Sequence, residues 1–146
     1  MKNAFTNTMI LTAAAMALGM TASAASEGSF KAEVPFAFQI GSQKYAAGQY
    51  EATVNIGTGG FRMLVIMQAG SGRSKVAMTT GIVSPESANS DSSTPKLVFR
   101  CGDNGCALAQ LWTGQSPIGM MFRAPRPVAA GTQRLAVVRM QTVNGD

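Results

Sequence analysis

Glu33, Glu51, Glu86 and Asp103 are the carboxylates that could act as an acid and its partner in glycoside cleavage, a reaction needing two carboxyl groups a few ångströms apart. Nothing in their spacing brings any two together. Each also has a plainer place: Asp103 in a turn, Glu86 in a polar loop, Glu33 and Glu51 on the solvent side of alternating strands. The chain has no histidine, which removes Ser-His-Asp and Cys-His catalysis, His-ligated zinc or copper, and the usual general base near neutral pH. Ser71, Ser74 and Ser116 therefore have no imidazole to take their proton, and none lies in a Gly-x-Ser-x-Gly elbow. A Ser74–Lys75 pair fails because adjacent strand residues point to opposite faces.

Other motifs reduce to packing or turns. In Gly57-Thr58-Gly59-Gly60, Arg62 stands where the third glycine of a dinucleotide loop would be, so the segment reads as a turn. Met63 with Met67, and Met120 with Met121, could offer thioethers to Cu(I), but Met63 and Met67 share one strand face and core packing explains them. No cofactor and no metal is expected. Cys101 and Cys106 flank Gly102-Asp103-Asn104-Gly105, a polar turn between two strand-like runs, so a disulfide across a hairpin is expected. A redox role fits less well, because the spacing is not Cys-x-x-Cys and no helix start is present.

Charge is distributed unevenly. Residues 25–95 carry five basic and five acidic side chains, whereas residues 96–146 carry six basic (Lys96, Arg100, Arg123, Arg126, Arg134, Arg139) against Asp103 and Asp146. Arg123, Arg126, Arg134 and Arg139 are candidate anion-binding residues, since the planar guanidinium suits phosphate and carboxylate. An anionic envelope glycan or lipid is the partner this implies; the alternative is a set of outward charges that keep a small apolar domain soluble. Nucleic acid is a poor fit, with Trp112 and a few phenylalanines the only rings for stacking.

The elements that must carry these residues follow from apolar patterning. Residues 1–24 read as a cleavable signal peptide: Lys2 at the start, an apolar core of about a dozen residues, too short to span a bilayer, and Ala22-Ser23-Ala24 at the cleavage point. Residues 25–146 are then a single periplasmic or secreted domain, in a compartment where disulfides persist. Residues 26–31 read as a polar lead-in. Val34, Phe36, Phe38 and Ile40 alternate as a strand that lies at a sheet edge or begins at Pro35, an edge being open to pairing with another chain. Tyr50, Ala52, Val54 and Ile56 repeat the period, residues 61–67 are more continuously apolar, and residues 75–83 form a fourth strand. Residues 84–95 are an exposed loop, residues 97–112 the disulfide hairpin, and residues 118–123 a short strand. Residues 134–143 admit strand or helix, with strand favoured by the β-branched residues.

The order Val34-Pro35-Phe36-x-Phe38, Ala47-Gly48-x-Tyr50, Leu97-Val98-Phe99, Gly102-Asp103 and Leu111-Trp112 resembles a group of small exported bacterial proteins frequent in acidobacterial genomes. That resemblance implies a β fold and brings no activity, ligand or catalytic residue with it. The chain departs from the group at Ala46, usually proline there, and in its cysteine pair. The expected fold is all-β, a small antiparallel sandwich or barrel of seven to eight short strands. The expected function is a non-catalytic binding or structural module of the cell envelope, with a small hydrolase or an edge-strand assembling protein as alternatives.

Overall fold

A computed structural model describes residues 25–84, 91–124 and 133–143. Residues 1–24, read from the sequence as a signal peptide, residues 85–90 with Glu86, and Arg126 lie outside these residues. The described chain is all-β, in eleven strands: β1 (Ala25–Val34), β2 (Phe38–Ile40), β3 (Gln43–Tyr45), β4 (Gly48–Ile56), β5 (Arg62–Gln68), β6 (Ser74–Met78), β7 (Gly81–Val83), β8 (Lys96–Gly102), β9 (Gly105–Trp112), β10 (Gly119–Met121) and β11 (Arg134–Thr142). Among the described residues no helix is long and apolar enough to cross a membrane.

The strands join in one curled sheet, a half-barrel, in the order β3-β2-β9-β8-β11-β1-β4-β5-β6, with β10 beside β9 and β7 beside β10. Two corrections to the sequence reading follow. The strand count is eleven, and the sheet is mixed, because β2 runs parallel to β9. The reasons are local. Pro35 has no N–H for a ladder, so the run 34–40 divides into β1 and β2. The run 75–83 divides at Thr79 and Thr80, whose amides donate to Arg62 O and Met121 O, carrying the chain from β5 to β10. Residues 26–31 are no lead-in: they belong to β1, which pairs with β4 from Ala25 to Val34. Nor is 34–40 an edge, since β1 lies between β11 and β4 and β2 between β3 and β9. The open ends of the sheet are β3, β6 and, on the branch through β10, β7.

Alternation decides what is buried. Phe30, Ala32 and Val34 of β1, Tyr50, Ala52 and Val54 of β4, Leu64 and Ile66 of β5, Leu97 and Phe99 of β8, and Val138 and Met140 of β11 face the hollow of the sheet and form one core. The extra residue Ala109 in β9 lets Leu108 and Leu111, three apart, both face inward opposite Phe99 and Leu97. Phe38 sits at the centre of an aromatic group, stacked on Tyr45 at 5.0 Å and edge-on to Tyr50 and Phe99 at 5.2 Å. Behind the sheet, Trp112, Val98 and Val83 make a second small cluster. The two ends of the sheet meet through side chains: Lys75 of β6 donates to Gln43 Oε1 of β3 at 3.0 Å and stands over the Tyr45 ring.

The expected disulfide is present. Cys101 and Cys106 face each other directly across β8 and β9, with Cα atoms 4.0 Å apart, and a two-residue turn of Asp103 and Asn104 joins the strands. Gly105 closes the turn at φ +97°, a backbone region that favours glycine. Residues 134–142 are the strand β11, inserted between β8 and β1.

Candidate functional site

A cleft of about 490 Å³ opens on the outward face of β11, β1, β4 and β5. Its polar lining is Lys31, Glu33, Gln49, Glu51, Arg139 and Gln141, with Met67 and the Ala69–Gly70 turn at one wall. The lining follows from register. Lys31 stands opposite both Gln141 of β11 and Glu51 of β4, and Glu33 stands opposite Gln49. These side chains point outward because Phe30, Ala32, Val34, Tyr50 and Ala52 between them point into the core. The turn is held over the cleft by the Ala69 amide, which donates to Gln49 O at 2.9 Å.

Two cations and two carboxylates share this cleft, yet none forms an ion pair there; among the described residues the one salt bridge is Arg62 with Glu27, elsewhere on the sheet. Glu27 is the extra residue of a bulge in β1, and its carboxylate accepts from Arg62 Nε and Nη2 at 2.9–3.1 Å. That hydrogen bond raises the Arg62 pKa further above its ordinary value. Arg62 is thereby committed, while Lys31 and Arg139 keep their donors for a ligand.

The four arginines singled out from the sequence do not form one surface among the described residues. Arg134 and Arg139 are five apart on β11, so they leave opposite sides of the sheet. Arg139 lines the cleft; Arg134 begins the strand beside Cys101; Arg123 is exposed after β10. Arg100, not chosen from the sequence, is exposed on β8 directly opposite Leu135. Lys96 is withdrawn from the exposed basic surface, being 6% exposed, with its ammonium donating to Asp91 O and lying over the Trp112 ring.

Glu33 and Glu51, in contrast, do share the cleft. Glu51 is two residues along β4 from the partner of Glu33, so the two are diagonal neighbours on one face of the sheet. The sequence placed both on solvent faces correctly; what it lacked was the strand order that sets β11, β1 and β4 side by side. Ser71 and Ser74 stay exposed, and Ser71 Oγ donates to Gln68 O within its turn. Met63 and Met67 line up on β5, where Met67 reaches the cleft wall. No group of three or more His, Cys, Asp or Glu that could hold a metal ion occurs among the described residues.

The fold and site define an open β half-barrel with a mixed-charge cleft on its outer wall. The chain matches no family model, no curated protein and no solved structure.

Proposed function

We propose that the chain is an exported, non-catalytic binding module of the cell envelope that contacts an anionic partner through its exposed C-terminal arginines. The observation that carries this reading is the state of the arginines. Arg100, Arg123, Arg134 and Arg139 are exposed and free of carboxylate partners among the described residues, whereas Arg62 is paired. Exposed, unpaired guanidinium groups retain the forked donors that phosphate, sulfate and carboxylate accept. The signal-like residues 1–24 and the closed Cys101–Cys106 bond support an oxidising, extracytoplasmic setting. The resemblance to small exported bacterial proteins belongs to the same reading.

Binding of a polyanion to the native state raises its melting temperature by mass action. Dextran sulfate is expected to raise that of the disulfide-intact protein at low salt, not at high salt, and not in an Arg100→Gln/Arg134→Gln/Arg139→Gln variant. A protein indifferent to polyanions at low salt overturns the reading.

A second reading, a small glycoside hydrolase, is favoured by one observation: Glu33 and Glu51 line the same cleft. It requires release of reducing sugar from envelope or model glycans, lost in both Glu33→Gln and Glu51→Gln. Absence of turnover on a broad glycan panel dismisses it.

A further inference from the structure

We propose that the outward face of β8 and β11 is a docking surface for an anionic lipid bilayer, with Leu135 and Val137 entering the interface and Arg100 and Arg139 meeting the phosphates. This deepens the anionic contact proposed above and rests on it. Leu135 and Val137 are 67% and 58% exposed. They stand clear because β1 pairs β11 only at Met140, Gln141 and Thr142, leaving this part of β11 without a flanking strand on that side. Across β8, Leu135 is opposite Arg100, Val137 is opposite Val98, and Arg139 is opposite the buried Lys96. Residues 135, 137 and 139 share one face of β11, so the face reads Arg100 and Leu135, then Val137, then Arg139.

Two apolar side chains bracketed by guanidinium groups match the boundary of a bilayer, where acyl chains and phosphates lie within a few ångströms of each other. The arginine stems can lie along the apolar layer while their heads reach the phosphates. Asp103 lies in the hairpin turn, and the register that pairs Ala32 with Met140 brings Glu33 opposite Arg139, beside the β11 row; neither carboxylate forms an ion pair with its arginines. A soluble polyanion would engage the arginines but leave Leu135 and Val137 in water. A second copy of the same face would bring guanidinium against guanidinium, which is repulsive.

The test is flotation of the protein, as recovered after export and with its N-terminus fixed by mass, on vesicles of phosphatidylcholine alone or mixed with phosphatidylglycerol. Dextran sulfate binding is measured alongside. Partition onto the mixed vesicles only is expected, and Leu135→Thr/Val137→Thr should weaken it about tenfold while leaving dextran sulfate binding unchanged. Arg100→Gln/Arg139→Gln should weaken both. Threonine keeps strand propensity at these exposed positions, and unchanged melting temperatures verify folding. Vesicle binding that the threonine variant retains in full overturns the proposal. Dextran sulfate binding without vesicle binding overturns it too, yet leaves the proposed function standing; loss of both overturns the two together.

Discussion

The indole of Trp112 lies directly on the backbone of Gly119: a Cβ added there would sit 2.7 Å from Trp112 Cε2 and 2.9 Å from Val83 Cγ1. Trp112 is wholly buried by this contact, on the side of the sheet away from the main core, and its Nε1 donates to Gln110 Oε1 at 3.1 Å. Gly119→Ala is therefore expected to lower stability by about 1–3 kcal/mol, through overpacking against a ring that cannot move without uncovering Val83 and Val98. Urea unfolding followed by Trp112 fluorescence measures it. A midpoint equal to that of the wild type would show that the cluster can yield.

Removal of the disulfide acts differently. Cys101 is 3% exposed and sits in the main core, so Cys101→Ala/Cys106→Ala changes both packing and the unfolded chain. The loop it closes is short, with a sequence separation of 5, and the chain-entropy effect is about 2 kcal/mol. The double variant should melt lower than the oxidised protein by an amount of this order, and the reduced wild type should follow it. Equal melting of oxidised and reduced protein would mean that the β8–β9 pairing alone holds the hairpin.

Stability should fall at both extremes of pH, for separate reasons. Burial, and then the neighbouring Tyr50, raises the Tyr45 pKa above 10.0, and burial raises that of Tyr50. The folded chain thus holds these protons more tightly than the unfolded one, so their contribution is complete below about pH 10 and is lost as pH rises through the raised values. At the acid end, hydrogen bonds from the Ser93 and Thr94 hydroxyls and the Ser93 amide lower the Asp91 pKa to about 2. Its contribution is present above the ordinary carboxylate range and disappears as pH falls toward about 2. Melting temperature against pH should decline on both limbs, the alkaline limb flattening in Tyr45→Phe and the acid limb in Asp91→Asn. Limbs unchanged in those variants would assign the decline to other groups.

Much of the strand pattern was legible because alternation reports burial directly: Tyr50, Ala52 and Val54 point inward as their period implies, and Cys101 and Cys106 meet across the turn their spacing describes. The strand over 134–142 was legible from Val137, Val138 and their neighbours. What escaped depends on distant partners. Residues Glu27 and Ser29 look like a polar lead-in, but a ladder with β4 does not require apolar side chains on both faces. Thr79 and Thr80 carry no breaker signal; their hydrogen bonds to Arg62 and Met121 divide the strand. The parallel β2–β9 pairing has no local signature at all. At the site, the opposed faces of Arg134 and Arg139 follow from their odd spacing, whereas the meeting of Arg139 with Lys31 and Glu51 required the sheet order.

That order has a consequence for when the chain can fold. β11 is inserted between β8 and β1, so the strand that begins the described sheet and the strand that ends it are neighbours. While the polypeptide emerges amino-terminus first, β1-β4-β5-β6 and β8-β9 have hairpins, and between the two sets only the short β2–β9 and β7–β10–β9 pairings. Residues 134–142 place a full strand between them, at the cost of closing the longest loop in the fold. A sheet built this way stays unfinished until residues 134–142 are in place.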